Sequence, residues 1–433
     1  LDPNTINRED LLSDNFYQKL TVQYPVIDLT GNTTGTEIEK EDTFYFNPHF
    51  AKCIGASQTD VPDVVRVRSP RHLYALSNLF EKYQHLLKGS HSMISQDTDL
   101  DYGSYEWGNC YHSGNYDAQA PIGQGEVPFD LTYSGNGNTV TGLHIRTEGN
   151  DAGLFGRIAA DGKVTDLVLL GDNETVTHFE NTPEPDTGTQ VQVTESEFSL
   201  VNGTGKVVNI GAIAGFNQGQ IINCAVSGYS LDVRAYNGAT ANVGGLVGQN
   251  YRGFIRACTA ETPRIAAKSY LANTYSGGLV GVNDGGSVYN SYAAGFIDVT
   301  EAETKDQDYT NIIAGLTGQN RSGNIFRCYA GMAMNAAGET EVYGLSKKGG
   351  SVIGSYYLDG GTYVYRNALY SFNSSENRYK DDAMGQRITA EKLSGMTLDE
   401  YGASQLTMNA GKNPYPYPAT VSRRGVKVQY RYW

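Results

Sequence analysis

The sequence lacks several features of nucleic-acid-binding and membrane-spanning proteins. Only 18% of its 433 residues are charged, against about 25% in average proteins, and the formal net charge is −14. An acidic chain is not expected to bind nucleic acid or an anionic membrane, because both bind to basic patches on proteins. The sequence also has no apolar run of about 18 residues, the minimum for a transmembrane helix. We therefore expect no nucleic-acid partner and no membrane insertion.

Motifs of common catalytic and cofactor sites are also missing. The sequence has no H-E-x-x-H, no G-x-x-x-x-G-K-[ST] and no G-x-S-x-G. The five cysteines include no C-x-x-C pair, and Cys53 and Cys110 lie apart from the others, so whether these two form a disulfide stays open. The first residue is Leu1, which is typical of a chain from which a signal peptide or lipid anchor has been removed. The sequence predicts no catalytic, cofactor-binding or metal-binding residue.

Glycine, in contrast, is abundant, with 51 residues, and much of it lies in a repeat. The segment GGLVG at 244–248 returns in related form, and the last glycine of each copy falls at 156, 215, 248, 281 and 318, so the steps are 59, 33, 33 and 37 residues. A period near 33 predicts a solenoid, in which each unit buries its apolar face against its neighbours. A degenerate sixth copy follows at 344–355.

Aligned copies give columns of equivalent residues. Two columns are aliphatic in every copy, a third is asparagine and a fourth is small, as in-register parallel coils about 4.8 Å apart require. An asparagine column can hydrogen-bond along the stack and tolerates the left-handed backbone. The aliphatic columns are Leu154, Ile213, Leu246, Leu279, Leu316, Leu345 and Val164, Ile221, Ile255, Val288, Ile325, Val352; the others are Asn217, Asn250, Asn283, Asn320 and Cys224, Cys258, Ser291, Cys328, Ser355.

The repeated core G-G-L-V-G-x-N…G-x-I-x-N-C resembles the GLUG motif of bacterial surface proteins, which also occurs beside the catalytic part of some immunoglobulin-A-cleaving metallopeptidases. The likeness covers roughly 130–365. It implies a right-handed parallel β-helix or β-solenoid, here all-β with about six coils, at the cell surface. It also implies adhesion without a known active site. The copy at 152–167 lacks the asparagine, and Lys347 replaces a glycine in the last copy.

The rest of the chain is predicted to cap and decorate this solenoid. We expect an N-terminal region at 1–68 packed on the solenoid, a helical cap and lead-in strands at 69–130, the repeats at 131–365 and a C-terminal cap with an extended tail at 366–433. The sequence 69–89 predicts an amphipathic capping helix, with Ser69 as N-cap and Pro70 in its first turn. The polar, proline-containing insertion at 171–198 predicts a loop or hairpin that leaves the stack.

Two groups of carboxylates deserve comparison with known sites. Asp97, Asp99 and Asp101 alternate on one strand face and, with Glu106, could hold Ca²⁺. The spacing differs from a helix-loop-helix calcium loop, and a solvated polar face is the simpler interpretation. Polysaccharide-cleaving β-helices place carboxylates along several coils, whereas the outward columns here hold Asn, Tyr, Gln, Arg and small residues. A glycosidase needs two carboxylates at a set separation, and Asp284 and Asp298 do not recur in register.

Tyrosine pairs provide possible contacts for sugars or proteins, namely Tyr356–Tyr357, Tyr363–Tyr365 and Tyr415–Tyr417, although packing between coils explains most of them equally well. The sequence thus favours a non-catalytic, extracellular or cell-surface bacterial protein that acts in adhesion to a host or matrix protein or glycan, or in surface architecture. The alternative is a carbohydrate-binding or polysaccharide-cleaving β-helix.

Overall fold

The computed structural model describes most residues within 64–102, 118–171, 207–299, 309–358 and 383–388, with gaps inside these ranges. It also describes backbone strands at 18–27, 33–44, 176–182, 199–201, 361–365, 368–372, 406–409 and 413–418. Four parallel sheets run along the chain, and each turn of the chain contributes one strand to each sheet. This is the predicted parallel β-solenoid. Its six complete coils begin at 151, 207, 240, 274, 311 and 341, and are called coils 1 to 6.

The first and second sheets meet at the glycine-rich bend of the repeat. The first sheet comprises Asp151–Ala152, Val207–Gly211, Thr240–Gly244, Thr274–Gly277, Asn311–Ala314 and Glu341–Tyr343. The second comprises Phe155–Ile158, Ala214–Asn217, Val247–Tyr251, Val280–Asp284, Thr317–Arg321 and Ser346–Lys347, with Ala383–Met384 antiparallel at its end.

The third sheet extends beyond the six coils towards the N-terminus. It comprises Val64–Val67, Met93–Gln96, Thr132–Ser134, Lys163–Thr165, Gln220–Ile222, Phe254–Arg256, Ser287–Tyr289, Asn324–Phe326 and Ser351–Ile353.

The fourth sheet has the longest strands. It comprises Leu100–Asp101, Thr139–Thr141, Val168–Leu170, Ala225–Ser227, Thr259–Ser269, Tyr292–Val299, Tyr329–Ala336, Tyr356–Leu358 and Gln386–Ile388, and is joined by Val176–Thr182, Ser199–Val201 and Ser230–Ala235. Val176–Thr182 lies in the predicted insertion and pairs in parallel with Ser230–Ala235. This part of the insertion therefore continues the stack instead of leaving it, because its backbone groups find partners in the next coil.

The remaining strands form small sheets. Gln18–Ile27 with Thr33–Phe44, Gly361–Tyr365 with Ala368–Phe372 and Leu406–Asn409 with Asn413–Pro418 are antiparallel pairs, and Ala118–Gln119 pairs in parallel with His144–Ile145. The pair at 361–372 lies beside Tyr329–Ala336 of the fourth sheet.

The predicted aliphatic columns form the core. Every member of the Leu154 column is fully buried, and register pairs successive members of the Val164 column, which are buried except for the partly exposed Val352 at the end. Stacking of like side chains removes apolar surface from water, which stabilises the fold by roughly 25 cal/mol for each Å² of apolar surface buried.

The predicted helix caps the N-terminal end of this core. Helical residues are described between 70 and 81, and residues 82–89 lie outside the described part. The Ser69 hydroxyl accepts a hydrogen bond from the His72 amide at 3.4 Å, as an N-cap does. Leu73, Leu76 and Phe80 are buried, and the Phe80 ring lies 5.5 Å from Phe129, which in turn contacts Phe155 of coil 1 at 4.7 Å.

The asparagine column forms a continuous hydrogen-bonded ladder. The Nδ2 atoms of Asn217, Asn250 and Asn283 donate to the Oδ1 atom of the next asparagine at 2.8, 2.8 and 2.9 Å, and all four side chains are fully buried. A Cβ atom at Gly286 would clash with the amide of Asn250 and approach Asn283, so glycine leaves the room that the ladder occupies. The motif therefore couples an asparagine to a glycine three residues later.

The left-handed backbone occurs at a different column from the one expected. The ladder asparagines do not adopt it, whereas the corner between the third and fourth sheets has positive φ at Asp166, Asn223, Ala257, Asn290, Arg327 and Gly354. A second ladder was not predicted: Asn209 donates to Asp151 at 2.7 Å, and Asn242 donates to Asn209 at 2.8 Å.

Candidate binding surface on the third sheet

Each three-residue strand of the third sheet buries its middle side chain and turns the other two outward. Successive strands are in register, so the outward side chains form two columns parallel to the solenoid axis. From coil 2 to coil 6 one column reads Gln220, Phe254, Ser287, Asn324, Ser351, and the other reads Ile222, Arg256, Tyr289, Phe326, Ile353. Neither column contains an acidic residue between these coils.

Aromatic and aliphatic side chains dominate the C-terminal half of this surface. The Phe254 and Tyr289 rings are 5.5 Å apart, and the Tyr289 and Phe326 rings are 5.6 Å apart. All three are partly exposed, and Ile353 is 58% exposed. We call Phe254, Tyr289, Phe326 and Ile353 the aromatic stripe. Its position on short, regularly hydrogen-bonded strands holds it rigidly.

Two arginines border the aromatic stripe. The Arg256 guanidinium lies 5.9 Å from the centre of the Phe254 ring, and the Arg327 guanidinium lies 5.1 Å from that of Phe326. Such cation–π contacts contribute about 0.5–1 kcal/mol at exposed sites. Arg327 occupies the left-handed corner position, with φ of 51°, and is exposed.

Two of the candidate calcium ligands, Asp97 and Asp99, have hydrogen-bond partners within the protein. Asp97 accepts hydrogen bonds from Arg66 at 2.9 Å, Arg68 at 3.1 Å and Ser95 at 2.9 Å. Partial burial acts to raise its pKa, but these hydrogen bonds together hold the pKa of Asp97 below its ordinary value. Asp99 accepts from the Thr139 amide at 2.8 Å. Glu106 lies outside the described residues, within which no group of three or more His, Cys, Asp or Glu side chains is placed to hold a metal ion.

The carboxylates considered for catalysis do not meet. Asp284 lies in the second sheet, whereas Asp298 lies in the fourth and forms an ion pair with Arg264 at 3.3 Å. Burial raises the pKa of Asp151, against the effects of the Asn209 hydrogen bond and the Arg157 charge. Burial also raises the pKa of Glu261 well above its ordinary range, although the hydrogen bond from the Tyr292 hydroxyl acts to lower it. Asp151 and Glu261 belong to different sheets and different coils.

The buried cysteines of the small column are free thiols. Cys224, Cys258 and Cys328 are fully buried, and the serines that alternate with them accept hydrogen bonds from Cys258 and Cys328 amides at 3.1 Å. Burial raises the pKa of Cys328 to about 12 and that of Cys224 well above its ordinary value, so neither forms the reactive thiolate. Cys53 and Cys110 lie outside the described residues.

The predicted tyrosine pairs do not define the binding surface. Tyr356 is partly buried in the fourth sheet, and Tyr357 packs against the core. Only the backbone strands are described at Tyr363–Tyr365 and Tyr415–Tyr417. The sequence analysis did not identify Phe254 or Phe326. Each is adjacent in sequence to a buried isoleucine of the repeat, and side chains adjacent to a buried strand residue are expected to point outward.

These features define a class of protein, a parallel β-solenoid built on stacked glycine- and asparagine-rich repeats. A sequence model of one family, described as the GLUG motif, matches residues 272–300. The matched segment is coil 4 in full, from its first-sheet strand to its fourth-sheet strand. Residues 272–300 therefore contain a GLUG motif, as the resemblance seen in the sequence predicted.

Two known proteins are similar to parts of this chain. A 109-residue stretch, 25% of the chain, is 34% identical to a protein of Evansella cellulosilytica named "Putative Gly-rich membrane protein", and the match spans 12% of that protein's length. The crystal structure of a "putative immunoglobulin A1 protease" from Bacteroides ovatus aligns with 82% of this chain and 91% of its own, with 14% identity and a TM-score of 0.48. The latter likeness is too low to carry an argument about activity. Among the described residues no helix is long and apolar enough to cross a membrane.

Proposed function

We propose that this chain is a non-catalytic protein of the bacterial cell envelope, and that the aromatic stripe attaches it to a host or matrix glycan or protein. The GLUG motif and the name of the Evansella relative support an envelope location. The single observation that carries the binding role is the aromatic stripe, a partly exposed row of apolar side chains that two arginines border.

Aromatic and arginine side chains suit such a role for physical reasons. Tyr, Trp and Arg provide most of the binding energy in protein interfaces, because they bury much apolar surface and retain a polar group. Here strand pairing fixes the backbone and the neighbouring rings contact one another before a ligand arrives, so less side-chain entropy is lost on binding. The outward columns contain no carboxylate between coils 2 and 6, so no side chain within these two columns repels an uncharged or acidic ligand.

Glycan and protein arrays test the proposal when the native chain is compared with the double variant Tyr289→Thr/Phe326→Thr. Threonine is chosen because Thr165 occupies the same column in coil 1. We expect the double variant to lose at least about tenfold in binding to any ligand that the native chain captures. Phe216→Gln on the second sheet is the matched control, because Gln249 occupies its position in the next coil, and we expect it to bind normally. Equal binding by the native chain and the double variant would overturn the proposal.

A polysaccharide-cleaving enzyme is the alternative, and one observation favours it. The raised pKa of Glu261 is the property that a general acid requires, although this side chain is buried. A hydrolysis and lyase screen on the purified chain discriminates between the two functions. Release of product by the native chain and its absence with Glu261→Gln would establish catalysis and contradict the non-catalytic proposal.

A further inference from the structure

We propose that the ligand of the aromatic stripe is an acidic polysaccharide that lies parallel to the solenoid axis, with its sugar rings on the stripe and its carboxylates on Arg256 and Arg327. This inference rests on the proposed function, since it assigns the chemistry of the ligand at the same surface. Three observations carry it: the charge of the surface, the spacing of its arginines and its size.

Charge provides the first observation. The chain has 47 acidic and 33 basic residues, so an arginine has many possible acidic partners. Several described basic residues do form ion pairs, as Arg66 and Arg68 do with Asp97 and Arg264 does with Asp298. Arg256 and Arg327, in contrast, contact aromatic rings and no described carboxylate.

A guanidinium left without a carboxylate binds that group well. Its planar set of N–H donors matches a carboxylate in two parallel hydrogen bonds, and the aromatic ring beneath it fixes its orientation. An acidic ligand would therefore supply what both arginines lack.

The spacing of the arginines provides the second observation. Arg256 belongs to coil 3 and Arg327 to coil 5, and two coil steps of about 4.8 Å separate them by roughly 10 Å along the axis. One sugar of an extended β-linked chain is comparable in length to one coil step of about 4.8 Å. The arginines thus match a polymer in which every second sugar carries a carboxylate.

The remaining side chains suit the neutral groups of such a polymer. Tyr289 and Phe326 offer apolar surface to the C–H faces of the sugars. Beside them lies the second outward column, where Ser287, Asn324 and Ser351 can donate and accept hydrogen bonds from sugar hydroxyls. Amide and hydroxyl groups without charge are the appropriate partners for hydroxyls.

Size provides the third observation and favours a narrow polymer over a folded protein. The column from Ile222 to Ile353 spans four coil steps, about 19 Å, and a three-residue strand is about 10 Å long, so the surface covers roughly 200 Å² in projection. A stable protein–protein interface buries about 800 Å² on each partner. Four sugars of a polysaccharide fit the surface, whereas a folded protein would need additional contacts elsewhere.

Titration calorimetry with defined oligosaccharides tests this inference. The probes are hyaluronan octasaccharide, which has a carboxylate on every second sugar, oligogalacturonate of equal length, which has one on every sugar, neutral cello-oligosaccharide, and poly-glutamate. We expect hyaluronan octasaccharide to bind at least tenfold more tightly than the neutral probe and the peptide, with an affinity that falls as salt is raised. Oligogalacturonate, in which a carboxylate also meets each arginine, should bind no more tightly than hyaluronan octasaccharide.

Variants identify the residues responsible. Arg256→Gln/Arg327→Gln should lower the hyaluronan affinity at least tenfold, towards that of the neutral probe, whereas Lys348→Gln, which removes an exposed charge outside the stripe, should leave it within twofold. Absence of hyaluronan binding, tighter binding of the neutral probe or poly-glutamate, tighter binding of oligogalacturonate, or no effect of the arginine substitutions would each overturn the inference. If Tyr289→Thr/Phe326→Thr abolishes binding of another ligand on the arrays while the arginine variant binds it normally, the acidic polysaccharide is excluded and the proposed function stands.

Discussion

The substitution Asn283→Ala measures what the buried asparagine ladder contributes to stability. Asn283 accepts a hydrogen bond from Asn250 at 2.8 Å and donates to Asn320 at 2.9 Å and to the Gly286 carbonyl at 3.1 Å. Its removal leaves the Asn320 Oδ1 atom buried without its donor, which costs about 1–3 kcal/mol. The Asn250 amide keeps its bond to the Gly253 carbonyl. With the lost bond and the small cavity, we expect the free energy of unfolding to fall by about 2–4 kcal/mol.

Asn320→Ala is the matched control, because Asn320 is equally buried but lies at the end of the ladder. Its removal leaves Asn283 still bonded to the Gly286 carbonyl, and the Gly323 carbonyl still accepts from the Ser351 amide at 2.9 Å. No buried polar atom is orphaned. The cavity is the same, so we expect a loss of only about 1 kcal/mol.

Urea unfolding followed by far-ultraviolet circular dichroism measures both variants, and the two losses should differ by roughly 1–3 kcal/mol. Equal losses for Asn283→Ala and Asn320→Ala would show that cavity size alone sets the cost, and would refute the role assigned to hydrogen bonding along the ladder.

Asn283→Asp separates hydrogen bonding from volume, because the side chains are nearly equal in size. The introduced carboxylate cannot donate to Asn320, and burial should raise its pKa in the folded state. A group with a raised folded pKa contributes stability below its unfolded pKa and loses it as pH rises through the folded value. The variant should therefore approach wild-type stability near pH 4 and be much less stable at pH 7.5; a deficit that does not change with pH would contradict this.

Three further predictions concern other parts of the core. Gly286→Ala should destabilise the chain strongly, because its Cβ would clash with the Asn250 amide. Gly285→Ala, with φ of +64° and only an ordinary contact of its Cβ with the Arg252 side chain, should cost about 1 kcal/mol, and equal melting temperatures for the two variants would contradict this. Leu246→Asp places a charge in the fully buried column and should abolish the β-sheet circular dichroism signal, and a folded, soluble variant would refute the stacking of that column. Because the folded-state pKa of Glu261 is raised, the contribution of this side chain to the free energy of unfolding is complete below its unfolded pKa and is lost as pH rises. Glu261→Gln should therefore raise the melting temperature at pH 7.5 but not at pH 4. An equal effect of the substitution at the two pH values would contradict the raised pKa.

The stacking of the coils could be predicted from sequence because buried side chains repeat. Leu246, Leu279 and Leu316 occupy one fully buried column, and the spacing of the repeats alone aligned them. Where similar coils stack, few residue types are tolerated at such positions, since each side chain must pack against its equivalents in the coils above and below. The asparagine ladder was predictable for the same reason, because each amide finds its partner in an identical neighbour.

Features that do not repeat could not be predicted in this way. Phe254, Tyr289 and Phe326 lie in outward columns whose other members are glutamine, serine, asparagine, isoleucine and arginine, because packing between coils does not constrain them. The ladder from Asp151 through Asn209 to Asn242 covers only three coils, and Tyr275 replaces it in the fourth. The pairing of Val176–Thr182 with the fourth sheet depends on backbone groups, which composition does not reveal.

The account depends most directly on an outward column that stays in register from coil 2 to coil 6. Gln220 and Ser351 are exposed members of that column, four coil steps apart, which predicts a Cα separation of about 19 Å. Spin labels at these two positions, in a background without the native cysteines, allow the distance to be measured by pulsed electron resonance. A single narrow distribution near 20 Å, allowing for the label arms, is expected. A broad distribution, or one centred beyond about 30 Å, would contradict the stack and remove the surface on which the proposed binding depends.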